Sequence, residues 1–139
     1  MSKHETVHAS TVAIGGRAVL LFGPSGAGKS DLALRLIDRG AILVSDDYTD
    51  LTPTPDALIA SPPATIAGKI EVRGLGIVDL PHLAAAPVAL VVLLDEPVER
   101  LPGPRTYPLA GRAIPAIALD PFELSAAIKI ELAIRRIES

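Results

Sequence analysis

Residues 23–30 read Gly23, Pro24, Ser25, Gly26, Ala27, Gly28, Lys29, Ser30, a full match to the pattern G-x-x-x-x-G-K-[ST]. Each position has a physical reason. Small residues let backbone N–H groups turn inward around phosphate oxygens, and a helix begun at the end of the loop points its positive pole at them. Lys29 is suited to neutralising the outer phosphates of a nucleotide, and the Ser30 hydroxyl to ligating Mg²⁺. The motif stands between a run that reads as a strand and one that reads as a helix, the context it requires.

Such a loop needs an acid at the end of a second buried strand, and two places offer one. The stretch AILVSDD ends in Asp46 and Asp47; ALVVLLDE ends in Asp95 and Glu96. Two adjacent carboxylates repel when both are charged, which suits one of them to taking a substrate proton while the other serves a metal. Spacing and periodicity leave the two candidates open.

The elements that must position these groups are readable in outline. Residues 6–22 read as two strands joined at Gly15-Gly16, a dipeptide suited to a tight hairpin. A helix is predicted from Ser30 to Arg39, with Gly40 as its left-handed cap, and a buried strand then runs into Asp46. Residues 48–67 carry four prolines and read as a loop with short irregular strands near Leu58-Ile59 and Thr65-Ile66. KIEVRGLGIVDL reads as strand, glycine turn and strand, and residues 87–94 as the most secure strand. A proline-rich connection over residues 97–115 leads to a last helix. Asp120 is its expected N-cap, Pro121 its first residue and Glu123 its capping-box acid. That helix should run to about Glu138, with Ile128, Leu132, Ile134 and Ile137 facing the core and Arg135 and Arg136 at the favourable pole.

Bulk properties narrow the class. The 139 residues suit one domain, and 49% of them are hydrophobic, so a core needs no staples. Only two Phe and two Tyr are present, with no Trp, so that core must be aliphatic. A net charge of −3 argues against a nucleic-acid surface, and the lack of Cys excludes disulfides and thiolate metal sites. No leader is visible and no apolar run is long enough to span a bilayer, so a cytoplasmic protein with no membrane partner is expected.

GPSGAGKSDLALRLIDRGAILVSDD together with IEVRGLGIVDL resembles the catalytic domain of the HPr kinase/phosphorylase family, whose signature is R-G-L-G-I. The resemblance runs from Thr6 to about Pro115, and is to a short form without the separate N-terminal domain. It implies an α/β P-loop fold of the phosphoenolpyruvate-carboxykinase-like type. The implied activity is ATP- and Mg²⁺-dependent phosphorylation of a serine on HPr, with a reverse phosphorylase reaction as a second activity. Family members form homo-oligomers, usually hexamers. By the same resemblance, His8 in TVH stands 21 residues before Lys29, at the place of the family's catalytic histidine. Asp47 matches the general base, with Asp46 beside it; Ser30, Glu71 and Asp46 match the Mg²⁺ side; and Arg100 matches a catalytic arginine. Two stretches depart from the pattern. PHLAAAP replaces a glycine-rich loop, and IALDPFE replaces a basic loop that the family ties to dephosphorylation.

Overall fold

Leu90, Val91, Val92 and Leu93 are all buried, a continuous apolar run of the kind a strand shows when both of its faces are covered. They lie in β9 (Ala86–Leu93), the centre of the sheet in this computed structural model, which describes residues 4–137. On one side β9 pairs in parallel with β3 (Arg17–Phe22). On the other, its start pairs with β6 (Leu58–Ser61) antiparallel and its end with β11 (Arg112–Ala118) in parallel. Beyond β3 come β2 (Ala9–Ile14) and β4 (Ile42–Ser45); beyond β6 come β5 (Thr49–Pro53) and β1 (Glu5–Val7). A separate hairpin is formed by β7 (Lys69–Val72) and β8 (Gly76–Asp79).

The pleat sorts side chains to two cores. Val12, Val19, Leu21, Leu43, Leu90 and Val92 face one side, where they meet α1 (Lys29–Asp38) and α2 (Ala126–Ile137). Ala13, Leu20, Val44, Val91 and Leu93 face the other, packed with Leu51, Leu58, Leu109 and Ile114. The fold is thus α/β, a mixed sheet with flanking helices, as the sequence predicts.

The hairpin at Gly15-Gly16 is present, both glycines having positive φ (58° and 82°), which the tight turn requires. Helix α1 ends as expected. Gly40 N–H bonds Ile37 O and Ala41 N–H bonds Leu36 O, each at 3.0 Å, with Gly40 at φ 109°.

Four expectations are corrected. Residues 6–14 are not one strand: β1 pairs with β5 and β2 with β3 and β4, so the chain changes partners at His8. Residues 49–61 form a regular hairpin, β5–β6, and Ala64–Ile66 is a single 3₁₀ turn rather than a strand. The connection over residues 97–115 contains β10 (Thr106–Leu109), which turns through Ala110 and Gly111 into β11. Ala110 there takes φ 49°, a conformation alanine does not advertise. Finally, α2 begins at Ala126: the residues before it make turns, with Glu123 N–H bonding Asp120 O at 3.3 Å and Ala126 N–H bonding Glu123 O at 3.2 Å, and Arg35 of α1 donates to the carbonyls of Pro121 and Glu123. Its buried face is Ala126, Ala127, Ile130, Ala133 and Ile134, while Ile128 and Leu132 are exposed. Arg135 and Arg136 do occupy its last turn, and Glu138 lies outside the described residues.

Candidate functional site

The loop of residues 23–30 joins β3 to α1, and its geometry depends on glycine. Gly26 and Gly28 have φ of 86° and 89°, and a Cβ on Gly23 would sit 2.8 Å from that of Ala27. Lys29 is buried, its Nζ donating to Gly23 O at 2.6 Å and Pro24 O at 3.0 Å. The ammonium is therefore held inside the turn its own loop makes.

Beneath the loop lies a buried polar knot. Asp46 Oδ1 accepts from Ser30 Oγ at 2.7 Å and Ser10 Oγ at 2.9 Å, and Oδ2 accepts the backbone N–H of Glu71 at 3.0 Å. Four elements meet on this one carboxylate: α1, β2, β7 and the end of β4. Charge-assisted bonds of this kind offset the cost of burying the charge.

Asp47 faces elsewhere. Tyr48 N–H bonds Asp46 O at 2.8 Å, closing a three-residue turn that holds Asp47 at φ 70°. Strain of this kind in a non-glycine residue collects at functional sites. The turn leaves the Asp47 side chain half-exposed, with His8 Nε2 at 2.7 Å from Oδ1. An ionised carboxylate only accepts, so Nε2 carries the proton of this bond. The His8 ring stacks on Tyr48 with centroids 5.0 Å apart, which fixes its orientation. The partner change at His8 brings the ring here.

Ser25, Gly26, Gly28, Lys29, Ser30, Asp46, Asp47 and Glu71 line one cleft of about 480 Å³. The structure thus brings the loop, the aspartate pair and Glu71 to one cleft, and sets His8, which does not line it, against Asp47. Sequence reasoning did not anticipate Ser10, Tyr48 or Phe122. A pair of hydroxyls, Ser10 and Thr11, inside an otherwise apolar strand was the available signal for the first, because buried hydroxyls need partners.

Arg100 is not brought to this cleft. It is exposed on the β9–β10 connection, whose neighbouring Glu99, Pro102 and Arg105 line a separate groove against α2. Arg105 turns the connection that way, pairing with Glu96 at 2.7 Å while its carbonyl accepts from Ala116. Asp95 and Glu96, the other acid pair, likewise do not line the cleft.

The donor set suits a hard cation: a hydroxyl and carboxylate oxygens beside a phosphate cradle. No group of three or more His, Cys, Asp or Glu side chains arranged for a metal occurs among the described residues. Mg²⁺ commonly needs no such cage, using one or two carboxylates together with substrate phosphates.

The family model for the HPr Serine kinase C-terminal domain matches residues 1–86, more than half of the chain. The chain belongs to this family. An HPr kinase/phosphorylase of Clostridium tetani is 47% identical over 77 residues, 55% of this chain and 25% of that protein. One of Lactiplantibacillus plantarum is 38% identical over 87 residues, covering 62% of this chain and 28% of its own length. The chain thus spans about a quarter of the curated relatives it matches. The solved Hpr(Ser) kinase/phosphatase from Coxiella burnetii is similar throughout: TM-score 0.82, 32% identity, 95% of this chain and 89% of that one. The family model ends at residue 86, whereas the structural match takes in 95% of the chain, so the likeness in fold extends beyond the matched residues. No helix among the described residues is long and apolar enough to cross a membrane.

Proposed function

We propose that this chain is an ATP- and Mg²⁺-dependent protein-serine kinase that phosphorylates HPr in the cytoplasm. The observation that carries the reading is the division of labour within the aspartate pair. Asp46 is buried and bonded to Ser30, whereas Asp47 is half-exposed at the same cleft and bonded to His8. One carboxylate is built into the phosphate site and the other is offered to an incoming group.

In this reading the loop N–H groups and Lys29 hold the phosphates. Lys29 exchanges its bonds to Gly23 and Pro24 carbonyls for phosphate oxygens. Ser30, Asp46 and Glu71 are the residues that would hold Mg²⁺, which when bound neutralises charge on the transferring phosphoryl group. Asp47 accepts the proton of the serine hydroxyl as its oxygen forms a bond to the γ-phosphorus and the bond to the departing ADP oxygen breaks. His8 donates to Oδ1 of Asp47 and leaves Oδ2 to face the hydroxyl. Asp95 and Glu96 take no part.

The test is transfer of labelled γ-phosphate from ATP to the HPr protein of the same cell, with the modified residue mapped. Phosphoserine formed by the wild type and lost in Asp47→Asn is expected. ATP binding without labelling of HPr would remove the acceptor from the proposal. Release of label from phospho-HPr on adding inorganic phosphate is the corresponding measurement for the phosphorylase reaction.

A further inference from the structure

A loop of this type recognises phosphates and leaves the rest of a nucleotide to other walls. The cleft has an apolar stretch as well as its polar floor: Leu34 of α1, Val72 of β7 and Phe122. Phe122 is one of only two phenylalanines in the chain, yet it is 72% exposed. An aromatic ring left in water forgoes the large burial that is its usual contribution.

The backbone that carries the ring is not loose. Phe122 N–H bonds Asp120 Oδ1 at 2.9 Å, and the neighbouring Pro121 is buried. Arg35 donates to the carbonyl of Pro121 and, at 3.3 Å, to that of Glu123, so it grips the turn on both sides of Phe122. Arg35 is itself held by Asp31 at 3.2 Å, one residue after Ser30 and on the cleft wall. The ring edge rests on the phosphate loop, where a Cβ on Gly28 would meet it at 3.3 Å. The turn is therefore registered to the helix whose first residues face the phosphates.

We propose that Phe122 is the platform for the nucleoside end of the bound nucleotide, its ring stacking against the base, with Arg35 as the positioning residue that clamps it over the loop. The inference rests on reading residues 23–30 as a nucleotide clamp. It accounts for a large aromatic surface fixed beside a phosphate site but not used in the core. A planar base is the ligand such a surface takes, because stacking needs only a π face and a rigid support.

The experiment compares binding of ATP and of inorganic tripolyphosphate, both with Mg²⁺, to the wild type, Phe122→Ala and Phe122→Trp by calorimetry. Phe122→Ala is expected to weaken ATP by about fivefold or more, the low end for base–aromatic stacking. Tripolyphosphate, which has no base, should bind all three proteins alike, and Phe122→Trp should recover ATP. Equal losses for both ligands would mean that the ring only props the loop, and would overturn the proposal. So would unchanged ATP binding with poorer labelling of HPr, which would assign the ring to protein docking. A wild type that binds neither ligand would instead remove the nucleotide clamp itself, and the platform with it.

Discussion

Ser10 donates its hydroxyl to Asp46 at 2.9 Å and, through the same oxygen, accepts the backbone N–H of Asp47 at 3.0 Å. One fully buried side chain thus fixes both members of the aspartate pair from the neighbouring strand. Ser10→Ala leaves the Asp47 amide without its acceptor and Asp46 with one donor fewer. The expected cost is about 1–3 kcal/mol of stability, the usual penalty for orphaning a buried polar group. Urea denaturation with an unchanged m-value would read it. A midpoint equal to the wild type's would show that water replaces the hydroxyl.

Asp46 and Asp47 should separate in their effects. Asp47→Asn keeps the positive φ, which Asn tolerates as Asp does, and removes only the proton acceptor. Transfer to HPr is expected to fall about 10²- to 10⁴-fold with ATP affinity retained. Asp46→Asn turns an amide N–H₂ toward the donors on Ser10, Ser30 or Glu71, and should destabilise the fold by about 1–3 kcal/mol. Steady-state kinetics and thermal melts on the two variants decide it. Similar stability losses in both would erase the division of labour.

What the sequence made legible was local. The Gly15-Gly16 turn, the phosphate loop and the Gly40 cap each carry their signal within a few residues, and all three stand where they were expected. The resemblance drew His8 toward the aspartates, but the contact to Asp47 spans 39 residues and no pattern states it. The β10–β11 hairpin was hidden because Ala110 takes a glycine-like φ and because Pro108 and Pro115 sit within its strands. The role of residues 120–123 depended on Arg35, a side chain 86 residues away from Pro121. Arg100 does not line the cleft; it lies on the connection where Arg105 pairs with Glu96, a contact no local pattern states.

The two helices are joined by Arg39, the C-cap of α1, whose Nε and Nη2 donate to Glu131 of α2 at 2.9 and 2.8 Å. The hydrogen bond with Glu131, then its charge, raise the Arg39 guanidinium above its already high ordinary value. A group raised on folding contributes its stability fully below its unfolded pKa and loses it only as pH climbs through the folded one. The window of loss is therefore strongly alkaline. The difference in Tm between wild type and Arg39→Ala should stay flat from about pH 6 to about pH 9, and shrink with added salt because the pair is partly exposed. A difference that closes within that pH range would assign the coupling to another group.

The last helix offers the sharpest contrast between pattern and packing. Ile128 and Leu132 are four residues apart and apolar, as a core stripe should be, yet they are 42% and 49% exposed. The helix instead buries Ala126, Ala127, Ile130, Ala133 and Ile134, in one cluster with Val92 and Leu119. Ile130, fully buried, should cost about 2–5 kcal/mol when truncated to Ala, by lost burial and the cavity left behind. Leu132→Ala should stay within about 0.5 kcal/mol of the wild type, as surface substitutions do. Chemical denaturation of the two variants tests the rotation of α2 directly. Comparable losses at both positions would mean that the face carrying Leu132 is covered in solution.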